Sequence, residues 1–104
     1  MQVLRIDSLP QEPSAAAARF YAVFQPKAMA LLQEGAGGLI LELPAADHAH
    51  SDWRRAAVRD LARLAAPKRV VMIAGGDGHA REQAAAYIQR APGVTGQLLD
   101  LEQQ

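Results

Sequence analysis

Lys68-Arg-Val-Val-Met-Ile-Ala-Gly-Gly-Asp-Gly78 is the stretch whose reading decides the fold. Val70 to Ala74 is an unbroken apolar run rather than an alternating one, which marks a strand covered on both faces, as in a parallel sheet. The glycines that follow form a turn, and an alanine-rich helix from about Ala80 to Arg90 packs through Ala84, Ile88 and Ala91 before Pro92-Gly93 ends it. Val94-Thr-Gly-Gln-Leu-Leu-Asp-Leu101 then supplies Leu98, Leu99 and Leu101 for a closing strand. A strand, a turn, a helix and a strand in that order make one βαβ unit.

Upstream the same grammar repeats. Leu39 to Leu43 is a second unbroken apolar run, and Asp52 to Ala66 between the two runs reads as a helix with Ala57, Val58, Leu61, Leu64 and Ala65 inward and Pro67 as its stop. Val3, Leu4 and Ile6 mark a first strand closed by Leu9-Pro10. Ser14 is the expected N-cap of a helix over Ala15–Glu34, with Ala17, Phe20, Tyr21, Phe24, Ala28, Leu31 and Leu32 on one face. Pro26 lies inside that pattern, where a kink or break is expected, and Gly35-Ala-Gly-Gly38 ends the helix. The order βαβαβαβ predicts an α/β, Rossmann-like domain of four mostly parallel strands and three helices. If the strands are neighbours in chain order and every crossover is right-handed, all three helices fall on one face. The other face then needs cover from elsewhere.

Composition narrows the function. The 104 residues read as a single domain, 1–104, with 102–104 as a frayed tail. A chain of this size buries only roughly 60–65% of the surface its unfolded form exposes. Eleven basic and eleven acidic residues cancel, so the net charge points to neither nucleic acid nor a membrane surface. The absence of cysteine excludes disulfides, thiolate nucleophiles and thiolate metal sites. The N-terminus lacks the basic start and apolar run of a signal peptide, and no stretch approaches the ~20 apolar residues of a membrane span. A cytoplasmic location is the expectation.

Taken together, Gly38-Leu-Ile-Leu-Glu-Leu-Pro-Ala45, Arg55-Ala-Ala-Val-Arg-Asp-Leu-Ala-Arg-Leu-Ala65, Ile73-Ala-Gly-Gly76 and Thr95-Gly-Gln-Leu-Leu-Asp-Leu101 resemble, in order and spacing, the C-terminal half of a short-chain dehydrogenase. The resemblance implies where that family's chemistry would lie. Its serine falls on Pro44 or Ala45, its tyrosine on Ser51 and its lysine on Arg55. An aliphatic hydroxyl cannot replace a phenol of depressed pKa as proton donor, and arginine cannot relay a proton. Tyr21 and Tyr87 are followed four residues later by Gln25 and Ala91, so no Tyr-x-x-x-Lys exists, and the chain has no asparagine. The family's front half, with its glycine-rich cofactor turn, has no counterpart here. The expectation is a degenerate dehydrogenase fold: no catalytic residue, no cofactor, more a pseudoenzyme than an enzyme.

Other constellations compete for a role. Gly75-Gly-Asp-Gly78 also resembles the Gly-Gly-Asp-Gly-Thr turn of diacylglycerol-type lipid kinases and NAD kinases, in which backbone N–H groups approach phosphates; His79 stands where those families place threonine. Gly75, Gly76, Asp77 and Gly78 are therefore candidate phosphate or nucleotide ligands, against the plainer reading of a turn with Asp77 as N-cap. His48 and His50, in Asp47-His-Ala-His-Ser-Asp52, form a His-x-His pair with no third metal ligand fixed by spacing, and an exposed capping loop is the simpler account. Arg55, Arg59 and Arg63 line one helix side with Arg54 nearby, a solvated face partly neutralised by Asp60. The family resemblance implies dimerisation through the helices at Ala15–Glu34 and Asp52–Ala66. Phe20, Phe24, Trp53, Arg55 and Arg59 are the expected interface residues. The resulting expectation is a non-catalytic module that forms a homodimer or binds a partner protein, with no nucleic acid and no membrane.

Overall fold

The computed structural model describes residues 1–102. Four strands, β1 (Gln2–Arg5), β2 (Gly38–Leu43), β3 (Arg69–Ala74) and β4 (Leu98–Asp100), form one sheet in the order β1-β2-β3-β4, every pair parallel. The α/β arrangement expected from the sequence is thus present, with helical crossovers between successive strands. Gln2 pairs with Leu39, Gly38 with Arg69 and Met72 with Leu98, and a bond from Ile6 N to Glu42 O (2.8 Å) prolongs the first ladder.

The first crossover is a helical rod in three parts: α1 (Pro13–Arg19), a π-helical turn (Phe20–Phe24) and α2 (Gln25–Gln33). The π turn is how the chain accommodates Pro26. Proline has no N–H and crowds the carbonyl four residues back, so the rod widens ahead of it and restarts with proline in the first turn of α2, where no N–H is needed. The N-cap is Glu12 rather than Ser14: its carboxylate accepts from Ala15 N at 2.7 Å, and Pro13 takes the first helical position that suits its fixed φ. The other crossovers are α3 (Ser51–Ala65), preceded by a short 3₁₀ turn at His48–His50, and α4 (Gly78–Arg90). No helix among the described residues is long and apolar enough to cross a membrane.

Strand alternation sorts the core into two sides. Leu39, Leu41 and Leu43 of β2 and Val70 and Met72 of β3 meet Phe20, Ala28 and Leu32 of the rod and Ala57, Val58 and Leu61 of α3. Ile40, Val71 and Ile73 point the other way and meet Ile88 of α4, with Ala84, Ala85 and Leu99 packed around them. The helices therefore do not share one face. Strand order keeps advancing in the same direction while α4 changes sides, so the third crossover has the hand opposite to the first two, against the usual rule. Gly75 and Gly76 make the change possible, with φ +72° and +77°, a region other residues rarely adopt. Two consecutive cations then fix the helices on their sides. Lys68 Nζ donates to Leu32 O at the end of α2 (2.6 Å), whereas Arg69, on the opposite face, donates to Ile88 O and Ala91 O at the end of α4 (2.8 and 2.9 Å). The second face, expected to be bare, is covered in part by the chain's own α4 and does not by itself require a partner.

Candidate functional site

In a parallel sheet the strands all end at one edge, and ligands of open α/β sheets bind between the loops that leave it. Here residues 6–12 after β1, 44–50 after β2 and 75–77 after β3 converge, and two adjoining clefts open between them, sharing Asp7, Pro44 and Ala45.

The smaller cleft, about 250 Å³, is electrostatically self-contained. Arg81 reaches back from α4 to Glu42 near the end of β2 (Nε to Oε1 3.8 Å) and donates through Nη1 to Gly76 O. Arg5 pairs with Asp7 at 3.2 Å. Gly75 N donates to Leu43 O (3.0 Å), and Gly76 N donates to the Glu102 carboxylate (2.7 Å). Asp77 is the N-cap of α4, accepting from Ala80 N at 2.8 Å, and Gly78 begins the helix. In this conformation the candidate phosphate turn already holds an anion of the chain's own. Glu102 is thereby engaged in a turn; the rest of the expected frayed tail, 103–104, lies outside the described residues.

The larger cleft, about 640 Å³, lies between residues 7–11 and 44–47. Arg54 of α3 lines it and is only 3% exposed. Its Nη1 donates to Pro44 O at 2.9 Å, and its guanidinium carbon sits 5.5 Å from the centroid of the Trp53 ring. Among the described residues its Nε has no hydrogen-bond partner and no carboxylate lies within the 4.0 Å of an ion pair. Burial pushes the guanidinium pKa down, and the negative charge of Asp100 opposes that shift only in part. The acids bordering the cleft are engaged elsewhere: Asp7 with Arg5, and Asp47 with Ala49 N (3.1 Å) as cap of the 3₁₀ turn.

His50, 5% exposed, forms one wall of this cleft. Trp53 Nε1–H donates to its Nδ1 (3.0 Å), so the ring hydrogen sits on Nε2, which donates to Gln11 O (2.9 Å). The imidazole thus ties the first turn of α3 to the loop before α1. His48 is exposed, and among the described residues no three His, Cys, Asp or Glu side chains gather as a metal site would need.

The positions matched to dehydrogenase chemistry differ in their surroundings. Ser51 is buried at the start of α3, Pro44 and Ala45 border both clefts, and Arg55 is exposed in a separate shallow groove with Arg59 and residues 96–98. Of the expected interface residues, Phe20 is wholly buried, packed on Trp53 and Tyr21 with ring centroids 5.6 and 5.8 Å away, so it cannot meet a partner. Trp53 is half-buried as a packing anchor; Phe24 is half-buried beneath Lys27. The residue that sequence reasoning passed over is Arg54. Its signal was its place in the stripe Ser51, Arg54, Val58, Leu61, the inward face of α3, where a cation is out of pattern.

A family model described as short chain dehydrogenase-like protein matches residues 4–101. No curated protein and no solved structure matches the chain.

Proposed function

Because the chain belongs to the short chain dehydrogenase-like family, we propose that it acts as a non-catalytic module of that family, through self-association or by binding a partner protein. The observation that carries this reading is the chemistry of the two side chains at the matched positions of α3: Ser51, buried at its start, and Arg55, exposed one turn on. An aliphatic hydroxyl and a guanidinium do not make the proton-relaying pair that such chemistry needs. The mouth of β2, where an acid–base pair would be useful, is lined by Pro44 and Ala45.

The outer surface of the rod and α3 supports assembly. Leu64 is 61% exposed and Tyr21 36%, beside Gln25, Asp60 and Arg63. An apolar patch with a polar rim of this kind suits a protein interface, and a two-fold contact through these helices at the usual ~1,600 Å² would add burial to a small domain. Light scattering during gel filtration at micromolar concentration tests the reading. A dimer is expected, and Tyr21→Glu with Leu64→Glu should convert it to a monomer. A stable, cooperatively folding monomer of the unaltered protein, with no partner, would remove the reading, as would saturable oxidation of NADH or NADPH with any carbonyl substrate.

A phosphate- or nucleotide-binding role for Gly75, Gly76, Asp77 and Gly78 has one observation in its favour: Gly76 N already donates to a carboxylate. A phosphate would have to displace Glu102. Calorimetric titration with ATP, NAD and inorganic phosphate, repeated on Gly76→Val, separates this role from assembly, because no heat at millimolar ligand leaves the turn purely structural.

A further inference from the structure

We propose that the larger cleft binds a small organic acid with an apolar body, its carboxylate paired with the buried guanidinium of Arg54. This goes beyond assembly and holds whatever the oligomeric state. The first ground is the charge itself. A guanidinium that is 3% exposed, with Nε lacking an acceptor and no carboxylate at ion-pair distance among the described residues, is an unmet requirement for an anion. Buried charges in folded proteins are paired, and the one neutralising influence among the described residues, Asp100, is not in contact.

The second ground is where the charge sits. Arg54 lies along a cleft of about 640 Å³ at the carboxyl edge of the sheet, so the missing partner can arrive from outside the chain. Nη1 is spent on Pro44 O, which leaves Nη2 as the end of the fork open to a ligand. Nε itself is sealed from solvent, so a carboxylate in the cleft meets the guanidinium at its Nη2 end, in a charge-assisted bond that neutralises the buried charge.

The lining selects the class of anion. Leu9, Pro10, Pro44, Ala45 and Ala46 give a polar-lined cleft an apolar part, which suits a hydrocarbon body. Asp7 and Asp47 also line the cleft, and their repulsion grows with the ligand's charge, so a monoanion is favoured over a phosphate dianion. His50 takes no part as a base, because both ring nitrogens are engaged within the chain. The result is a binding site, with no chemistry assigned to it.

Trp53 is the chain's only tryptophan and touches the Arg54 guanidinium face, so its fluorescence reports occupancy. The full chain is titrated with cyclohexanecarboxylate and butyrate, and with inorganic phosphate at matched ionic strength. Saturable changes are expected for the two carboxylates, the bulkier binding more tightly, with phosphate at least about tenfold weaker. Arg54→Met should weaken carboxylate binding by at least about tenfold. Should that variant fold poorly, Ala45→Phe, at an exposed loop position, leaves Arg54 intact and narrows the cleft, and should weaken binding to a similar degree. The proposal is overturned by the absence of any saturable carboxylate response through the millimolar range, by undiminished binding in folded Arg54→Met or Ala45→Phe, or by phosphate binding the more tightly.

Discussion

Replacing Arg54 with methionine should make the ligand-free protein more stable, although it removes a hydrogen bond. Keeping an ionised guanidinium away from water costs several kcal/mol even after relaxation. Its unpaired Nε adds about 1–3 kcal/mol. Against this stand one charge-assisted bond to Pro44 O, about 1.5–3 kcal/mol, and the Trp53 contact, about 0.5–2 kcal/mol. Methionine fits a similar elongated space, keeps the packing of the arginine stem and needs no acceptor, while Pro44 O borders the cleft and can turn to solvent. The net gain is about 1–2 kcal/mol, which in a domain of this length raises the thermal midpoint by roughly 5–15 °C. Scanning calorimetry and urea unfolding measure it, in a buffer free of acetate and citrate so that no carboxylate compensates the wild-type charge. A lower midpoint for Arg54→Met would refute the reasoning, because it would mean the guanidinium holds the fold together rather than straining it.

Three further outcomes are expected. Gly76→Ala should destabilise by about 1–2 kcal/mol from the left-handed backbone alone, and by more because its Cβ would lie 2.7 Å from Leu101 Cδ1; Gly93→Ala, with nothing within 4 Å, should be close to neutral in urea unfolding. The Glu12 carboxyl is held below the ordinary carboxylate range chiefly by Ala15 N–H, so its capping contribution is present above its unfolded pKa and lost as pH falls through the folded one. The difference in unfolding midpoint between wild type and Glu12→Ala should be visible at about pH 7 and gone by about pH 2. Burial first, and the Asp60 carboxylate second, raise the Tyr21 phenol pKa, so its stabilisation is complete below the unfolded pKa of about 10 and disappears as pH rises through the folded value. Ultraviolet titration should show one tyrosine ionising late, and Asp60→Asn should bring it part of the way back.

Much of the architecture was legible because it depends on local pattern. The apolar runs of β2 and β3 gave a parallel sheet, the inward stripe of Ala57, Val58 and Leu61 gave α3, and Asp77 is the cap its position promised. Leu64, expected on the same face of α3, is instead 61% exposed. Pro26 disturbs the first helix, though by a π turn rather than a break. What escaped depends on contacts distant in sequence. The side chosen by α4 is set by Gly75 and Gly76 packing beneath Leu101 and Glu102, and by Arg69 reaching the far end of the helix. The burial of Phe20 depends on Trp53, which in turn is held by His50. Arg54 stood in plain view on the inward face of α3, but its neighbours Arg55 and Arg59 drew it into an exposed charged row.

The change of side at α4 leaves the sheet clad unevenly. The rod and α3 enclose twelve fully or nearly buried residues with β1, β2 and β3, whereas the α4 side encloses four, and only Ile88 of those belongs to the helix. A cover held by one wholly buried side chain, two half-buried alanines, the Arg69 clasp and the Arg81–Glu42 pair peels away at lower cost than the rest of the molecule unfolds. Amide exchange in α4 should therefore outpace that in α3. Each opening uncovers Ile40, Val71 and Ile73 in the middle of the sheet, so an adhesive surface on this protein is a matter of timing as well as of place.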